Sequence, residues 1–134
     1  MATKIICEYK GDGQTELTHG PTNSKILTDL PPDNGGKGRL FSPTDLLGAS
    51  LSSCILTIMG KSAEKYKHDF SGASIEIEKI MNESPRRVAK FIMKITFPKQ
   101  IPIEYRDRYL AAIKACPVHM SLHPEIKVEC EVVN

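Results

Sequence analysis

Cys54 and Cys116 are the residues whose surroundings could support chemistry. Cys54 falls inside the apolar run SPTDLLGASLSSCILTIMG, and Cys116 stands immediately before a proline in ACPVHMSLHP. They are 62 positions apart, which excludes a Cys-x-x-Cys redox motif and a four-ligand zinc knuckle. Two thiols brought together by folding can do redox work, one sulfur attacking and the other resolving. The competing reading of each is a small buried hydrophobe, the usual fate of a free cysteine. To act as a nucleophile, Cys54 needs a cation or oriented N–H donors beside it, since its helix is apolar. Cys116 has better local chemistry: with Pro117 at a first helical position, its sulfur meets the start of a short helix, PVHMSLH, where backbone dipoles favour thiolate. Cys7 shares a strand face with Ile5 and Tyr9, and Cys130 shares one with Val128 and Val132, so both are expected in the core. Cys116, His119 and His123 could line one helical face and hold zinc, but a fourth ligand is missing and Pro117 and Pro124 fit simple helix boundaries, so no metal is expected. Residues 34–38, NGGKG, resemble a phosphate loop without its Gly-Lys-Ser/Thr ending.

The elements that must position the two thiols can be read from patterning. Residues 3–10 and 14–19 are strand candidates about the turn Gly11-Asp12-Gly13, and residues 25–28 are a third, giving an N-terminal antiparallel meander. A glycine- and proline-rich loop, DLPPDNGGKGRLFS, comes next. Ser42, Pro43 and Asp45 then mark a helix start, with Asp in place of the Glu or Gln of a capping box. The helix, about residues 43–66, is apolar on nearly every side through Met59 and must be covered all round. So small a chain has little to cover it with, which predicts a homodimer. Residues 74–81 and 87–97 read as a hairpin with Ala89, Phe91, Met93, Ile95 and Phe97 on one face. An amphipathic helix over 103–115 and a final strand through Ile126, Val128, Cys130 and Val132 complete an α+β order.

At 134 residues, 40% hydrophobic and 25% charged, the chain reads as a single domain, residues 1–134. A net charge of +2, dispersed basic residues and no Trp argue against nucleic acid as a partner. The N-terminus MATKIICEYK does not read as a signal peptide, and no stretch is expected to span a membrane. The expected compartment is the cytoplasm, where a disulfide would be transient rather than structural.

The run FSPTDLLGASLSSC, with ACPV some sixty residues later, resembles the OsmC/Ohr family, the osmotically inducible and organic hydroperoxide resistance proteins, and looks closest to its OsmC-like branch. The resemblance implies antiparallel sheets packed around a long buried central helix, in an intertwined homodimer with two sites at the subunit interface. It implies reduction of organic hydroperoxides, and of hydrogen peroxide, by a thiol or dithiol reductant, with no cofactor. Matched by motif, Cys54 is the attacking cysteine, which becomes a sulfenic acid, and Cys116 is the resolving one, which closes a Cys54–Cys116 disulfide. The family's thiolate-holding arginine in the N-terminal strands corresponds here to Gln14. Its orienting glutamate, ten residues before the attacking cysteine, corresponds to Thr44, with Asp45 beside it. Arg39 is the preferred substitute cation, ahead of Arg86 or Arg87 from a partner subunit. Asp45 reads more readily as a helix cap than as a catalytic acid. These departures keep open an alternative: a redox-responsive or small-ligand binding relative with little peroxidase activity.

Overall fold

Asp12 and Gly13 take φ of 54° and 80° in the computed structural model, which describes residues 1–134. Positive φ at both central positions is what a two-residue hairpin needs to match the twist of its strands. Strand β1 (Ile5–Gly11) therefore turns directly into β2 (Gln14–His19), and β2 pairs antiparallel with β3 (Lys25–Asp29), the meander expected from sequence. Register puts Cys7, Leu17 and Ile26 in one row across the sheet. That row is flanked by Ile5 and Tyr9, which remain 64% and 68% exposed. Cys7 is exposed too, contrary to the expected core position, because its face has no cover within the chain.

The loop after β3 is tied back to the first hairpin. Leu30 N–H donates to the Gly13 carbonyl at 2.9 Å, and Gly38 N–H donates to the Leu30 carbonyl at 3.0 Å. A Cβ on Gly36 would stand 2.0 Å from the Leu30 carbonyl oxygen, so only glycine lets the loop approach that closely. Residues 1–46 form one compact unit and residues 47–134 a second.

Helix α1 (Pro43–Glu64) opens with the reciprocal cap read from sequence: Ser42 N–H donates to Asp45 Oδ2 at 2.9 Å, and Asp45 N–H donates to Ser42 Oγ at 3.0 Å. Gly48, Leu51, Ile55, Met59 and Ala63, spaced three or four apart, form its buried stripe. The other faces are not enclosed within the chain, and only 28% of its most apolar stretch is buried. By length and composition α1 is long and apolar enough to cross a membrane, which corrects the expectation that no stretch reaches that size. Between Asp45 and Lys61 it carries no charge, and its small Ser and Gly residues dilute the apolar character only slightly. A core helix passes the same test, and this one's stripe lies in the hydrophobic core.

The helix ends in a Schellman turn. His68 N–H donates to the Ala63 carbonyl at 3.0 Å, Lys67 N–H donates to Glu64 at 3.1 Å, and Lys67 sits at φ 56°. A non-glycine residue is held there by its neighbour: His68 Nδ1 bonds the hydroxyl of buried Tyr109 at 2.6 Å, and the His68 ring meets Tyr105 edge-on at 4.6 Å. Lys67→Gly should therefore stabilise the protein by about 0.5–1 kcal/mol, read as a higher urea midpoint with an unchanged m-value. A neutral or destabilising result would show that the lysine side chain contributes more than its strained backbone costs.

Strands β4 (Ser74–Glu83) and β5 (Arg86–Thr96) form the expected hairpin, and β6 (Lys127–Val132) adds to β5 in parallel, so this sheet is mixed rather than antiparallel. A parallel neighbour requires a crossover. Residues 97–126 supply it, carrying α2 (Arg106–Leu110), α3 (Ala112–Ala115) and α4 (Pro117–Met120). The single helix expected over 103–115 is thus a 3₁₀ turn and then two short α segments, although Ala111 between them keeps helical dihedrals of −61° and −21°. The β4–β5 register shifts where Ile80 faces Lys90 and Met81 faces Val88. Ala89 is the extra residue of this bulge, so Val88 takes the inward position that simple alternation gives to Ala89. Phe91, Met93, Ile95 and Phe97 point inward as expected and pack with Leu51, Ile55 and Met59 of α1. Cys130, on edge strand β6, is exposed rather than buried, though partial shielding pushes its thiol up.

Candidate active site

Cys54 occupies the middle of α1 between the buried residues Leu51 and Ile55, on a flank that leaves it partly exposed. Cys116 comes from the far end of the crossover and is completely buried. Despite their separation in sequence the two side chains interact, sulfur to sulfur. Cys116 has extended backbone angles (φ −65°, ψ 123°) and caps α4 with Pro117 behind it, as the Cys-Pro sequence predicts. Its sulfur accepts from the backbone N–H of His119 at 3.4 Å. Burial pushes the Cys116 thiol up and Cys54 adds to that, while the N–H groups of His119 and Val118 pull in the opposite direction. Cys116 therefore keeps its proton at neutral pH.

His119 Nδ1 donates to the Ile113 carbonyl at 2.6 Å, joining α3 to α4 across Cys116. His123 Nδ1 accepts the Glu125 N–H at 3.1 Å. Both rings considered for zinc are thus committed on one nitrogen to the backbone, and no three His, Cys, Asp or Glu side chains come together as metal ligands.

Four of the supporting residues named from sequence, Gln14, Arg39, Thr44 and Asp45, lie in residues 1–46, where they form two clusters. Arg39 Nε donates to Asp29 Oδ2 at 2.7 Å, its backbone N–H donates to the same oxygen at 2.8 Å, and its Nη1 donates to Asp12 Oδ2 at 2.9 Å. Gln14, first in β2, is the register partner of Asp29. Lys37 also reaches Asp12, at 3.1 Å, which gives the glycine-rich loop a structural use. Thr44 Oγ1 lies 3.3 Å from Ser42 Oγ, and Asp45 is occupied by the helix cap. Arg39's two carboxylate partners escaped the sequence reading. The only signals were an Asp in the β1–β2 turn and another at the end of β3, both common there for other reasons. Among arginines of the second unit, Arg87 pairs with Glu125 at 2.6 Å, and Arg108 lies over the Tyr66 ring at 5.0 Å.

Arg39 holds the Asp29 carboxyl at about 2, below the usual 3.8, outweighing the opposing effect of burial. A carboxyl pKa lowered by folding contributes stability in full above the unfolded value, and that contribution is lost as pH falls from about 4 towards 2. The Arg39 and Leu30 amides, which donate to Asp29, should keep their hydrogen-exchange protection at pH 5 and lose it across that interval. Asp29→Asn should weaken the protection at every pH; protection unchanged in the variant would remove Asp29 as the anchor of this loop.

The family described as OsmC-like protein matches residues 36–131. A solved Psychrobacter arcticus structure, named as a candidate osmotic stress induced and detoxification response protein, is 38% identical, covers 99% of this chain and 97% of its own, and superposes with a TM-score of 0.93. The organic hydroperoxide resistance protein OsmC of Legionella pneumophila is 16% identical over 100% of this chain and 98% of its own, at TM-score 0.76. Organic hydroperoxide resistance protein OhrB of Bacillus subtilis is 14% identical over 99% and 98%, at TM-score 0.68. At these lower identities the likeness is one of fold. No curated protein matches the chain.

Proposed function

Because this chain belongs to the OsmC-like family, we propose that it reduces organic hydroperoxides, and hydrogen peroxide, through Cys54 and Cys116 at the expense of a thiol or dithiol reductant. The observation that carries this reading is the pairing of a partly exposed thiol with a fully buried one that keeps its proton. The accessible sulfur is the one a hydroperoxide can reach. As thiolate, Cys54 attacks the terminal peroxide oxygen: an S–O bond forms, the O–O bond breaks, and the alkoxide leaves with a proton as alcohol. Cys116 then displaces the hydroxyl of the Cys54 sulfenic acid, which departs with the Cys116 proton as water, and a disulfide closes. Two reductant thiols reopen it by exchange.

The assembly proposed with this activity is a cytoplasmic homodimer in which the chain acts as one OsmC-like domain. The family match spans residues 36–131 and so crosses the boundary between the two compact units. Apolar residues exposed on the first sheet, Ile5, Tyr9 and Ile26 among them, and the uncovered faces of α1 supply surface for a second copy. One observation favours the alternative, a redox-responsive or small-ligand binding protein: Arg39, the preferred substitute cation, is already held by Asp29 and Asp12. Rapid mixing of the reduced protein with cumene hydroperoxide tests the choice. Consumption of one equivalent per chain with loss of two free thiols supports the reductase. No consumption above the rate of a free thiol would leave the binding alternative.

A further inference from the structure

Cys116 cannot be steered by solvent, because nothing of it is exposed; the loop from Ile113 to His119 must aim it. That loop is closed by one side chain. The Ile113 carbonyl belongs to the last turn of α3, where four carbonyls have no partner inside the helix, and His119 Nδ1–H donates to it at 2.6 Å. The same residue's backbone N–H lies 3.4 Å from the Cys116 sulfur. His119 thus fixes both ends of the segment that carries Cys116 and offers a backbone donor to its sulfur, while the residue is only partly buried.

Resting on the reading of Cys54 and Cys116 above, we propose that His119 is the positioning residue for the resolving step: its clamp on the Ile113 carbonyl keeps the Cys116 sulfur in line with Cys54. In that step the Cys116 S–H bond and the Cys54 S–O bond break, the S–S bond forms, and the proton and hydroxyl leave together as water. The two electrons have already passed to the hydroperoxide. The His119 N–H steadies negative charge on the attacking sulfur, which burial otherwise disfavours. The imidazole acts one layer out, on geometry. An error of about 1 Å in such geometry costs on the order of 10²-fold in rate.

The test separates the two chemical steps in His119→Leu and His119→Asn, because an asparagine Nδ2–H can take the place of the histidine Nδ1–H on the carbonyl. In rapid-quench single turnovers with cumene hydroperoxide, His119→Leu should consume hydroperoxide at a rate within about twofold of the native protein. Its disulfide should close on the order of 10- to 10²-fold more slowly, so that a dimedone adduct accumulates on Cys54. His119→Asn should restore most of the closure rate. Closure in His119→Leu at the native rate would overturn the proposal, as would a His119→Asn protein that closes as slowly as His119→Leu. Diamide provides an arm that needs no peroxidase activity: one thiol adds across its N=N bond, and the other displaces the hydrazine to form the disulfide. If the native protein ignores hydroperoxide, the functional reading fails, yet the same order of diamide closure rates would still support the clamp and equal rates would still refute it.

Discussion

Cys54→Ser should lower the rate of hydroperoxide consumption by on the order of 10³-fold or more, to the level of unassisted thiols, while the protein unfolds at nearly the native urea concentration. The loss is large because the substitution removes the only sulfur of the pair that is open to the outside. A serine hydroxyl cannot replace it, since it is neither ionised near neutral pH nor able to expand to a sulfenic acid. Cys116→Ser should behave differently. The first equivalent of hydroperoxide should disappear at close to the native rate, and turnover should then stop with Cys54 as a sulfenic acid that dimedone captures. The asymmetry stems from burial: Cys116 is fully enclosed and keeps its proton, so it has no part in the first encounter. Equal loss from both substitutions in that first event would mean that the thiols act as a unit. Activity surviving Cys54→Ser would transfer the chemistry to another residue altogether.

Sequence was the most accurate guide where local chemistry decides structure. The Asp12-Gly13 turn, the Ser42–Asp45 cap and the Cys116-Pro117 junction each carry their geometry within a few residues, and each stands in the structure as read. It was least accurate where one residue changes the parity of everything after it. Nothing in RRVAKFIMKIT marks Ala89 as the bulge, so Val88 and Ala89 exchange faces without any change in composition. Nor can alternation tell whether a face finds a cover. Cys7 and Cys130 sit on strands patterned like buried ones, yet β1 lies on an uncovered sheet and β6 at an edge. In the candidate site, the helix carrying Cys54 and the cap carrying Cys116 were both readable. Their meeting was legible only through the family resemblance and not from local patterning, because it is set by a parallel crossover whose destination strand has no local signature.

Phe91→Ala should cost about 3–5 kcal/mol, read as a fall in urea midpoint, which is a large part of the roughly 5–15 kcal/mol that usually separates folded from unfolded states. Phe91 is fully buried, and its ring lies so close to α1 that a Cβ on Gly48 would stand 3.0 Å from Cε1. At Gly48 the ring thus rests against helix backbone, within a core of other side chains, and truncation leaves a space that the rigid helix cannot collapse to fill. This ties the β5 core to the helix turns leading to Cys54. The same contact makes the effect of Gly48→Ala depend on residue 91. With Phe91 present the added methyl must displace the ring, an overpacking that costs about 1–3 kcal/mol. With alanine at 91 the methyl has room, and the roughly 1 kcal/mol by which alanine is the better helix former should make the change neutral or stabilising. A double-mutant cycle should thus show a coupling of about 1–3 kcal/mol. Strict additivity would mean that α1 shifts on β5 to accommodate either change, in which case the position of Cys54 is not fixed by this contact and its approach to Cys116 must be set from the crossover side alone.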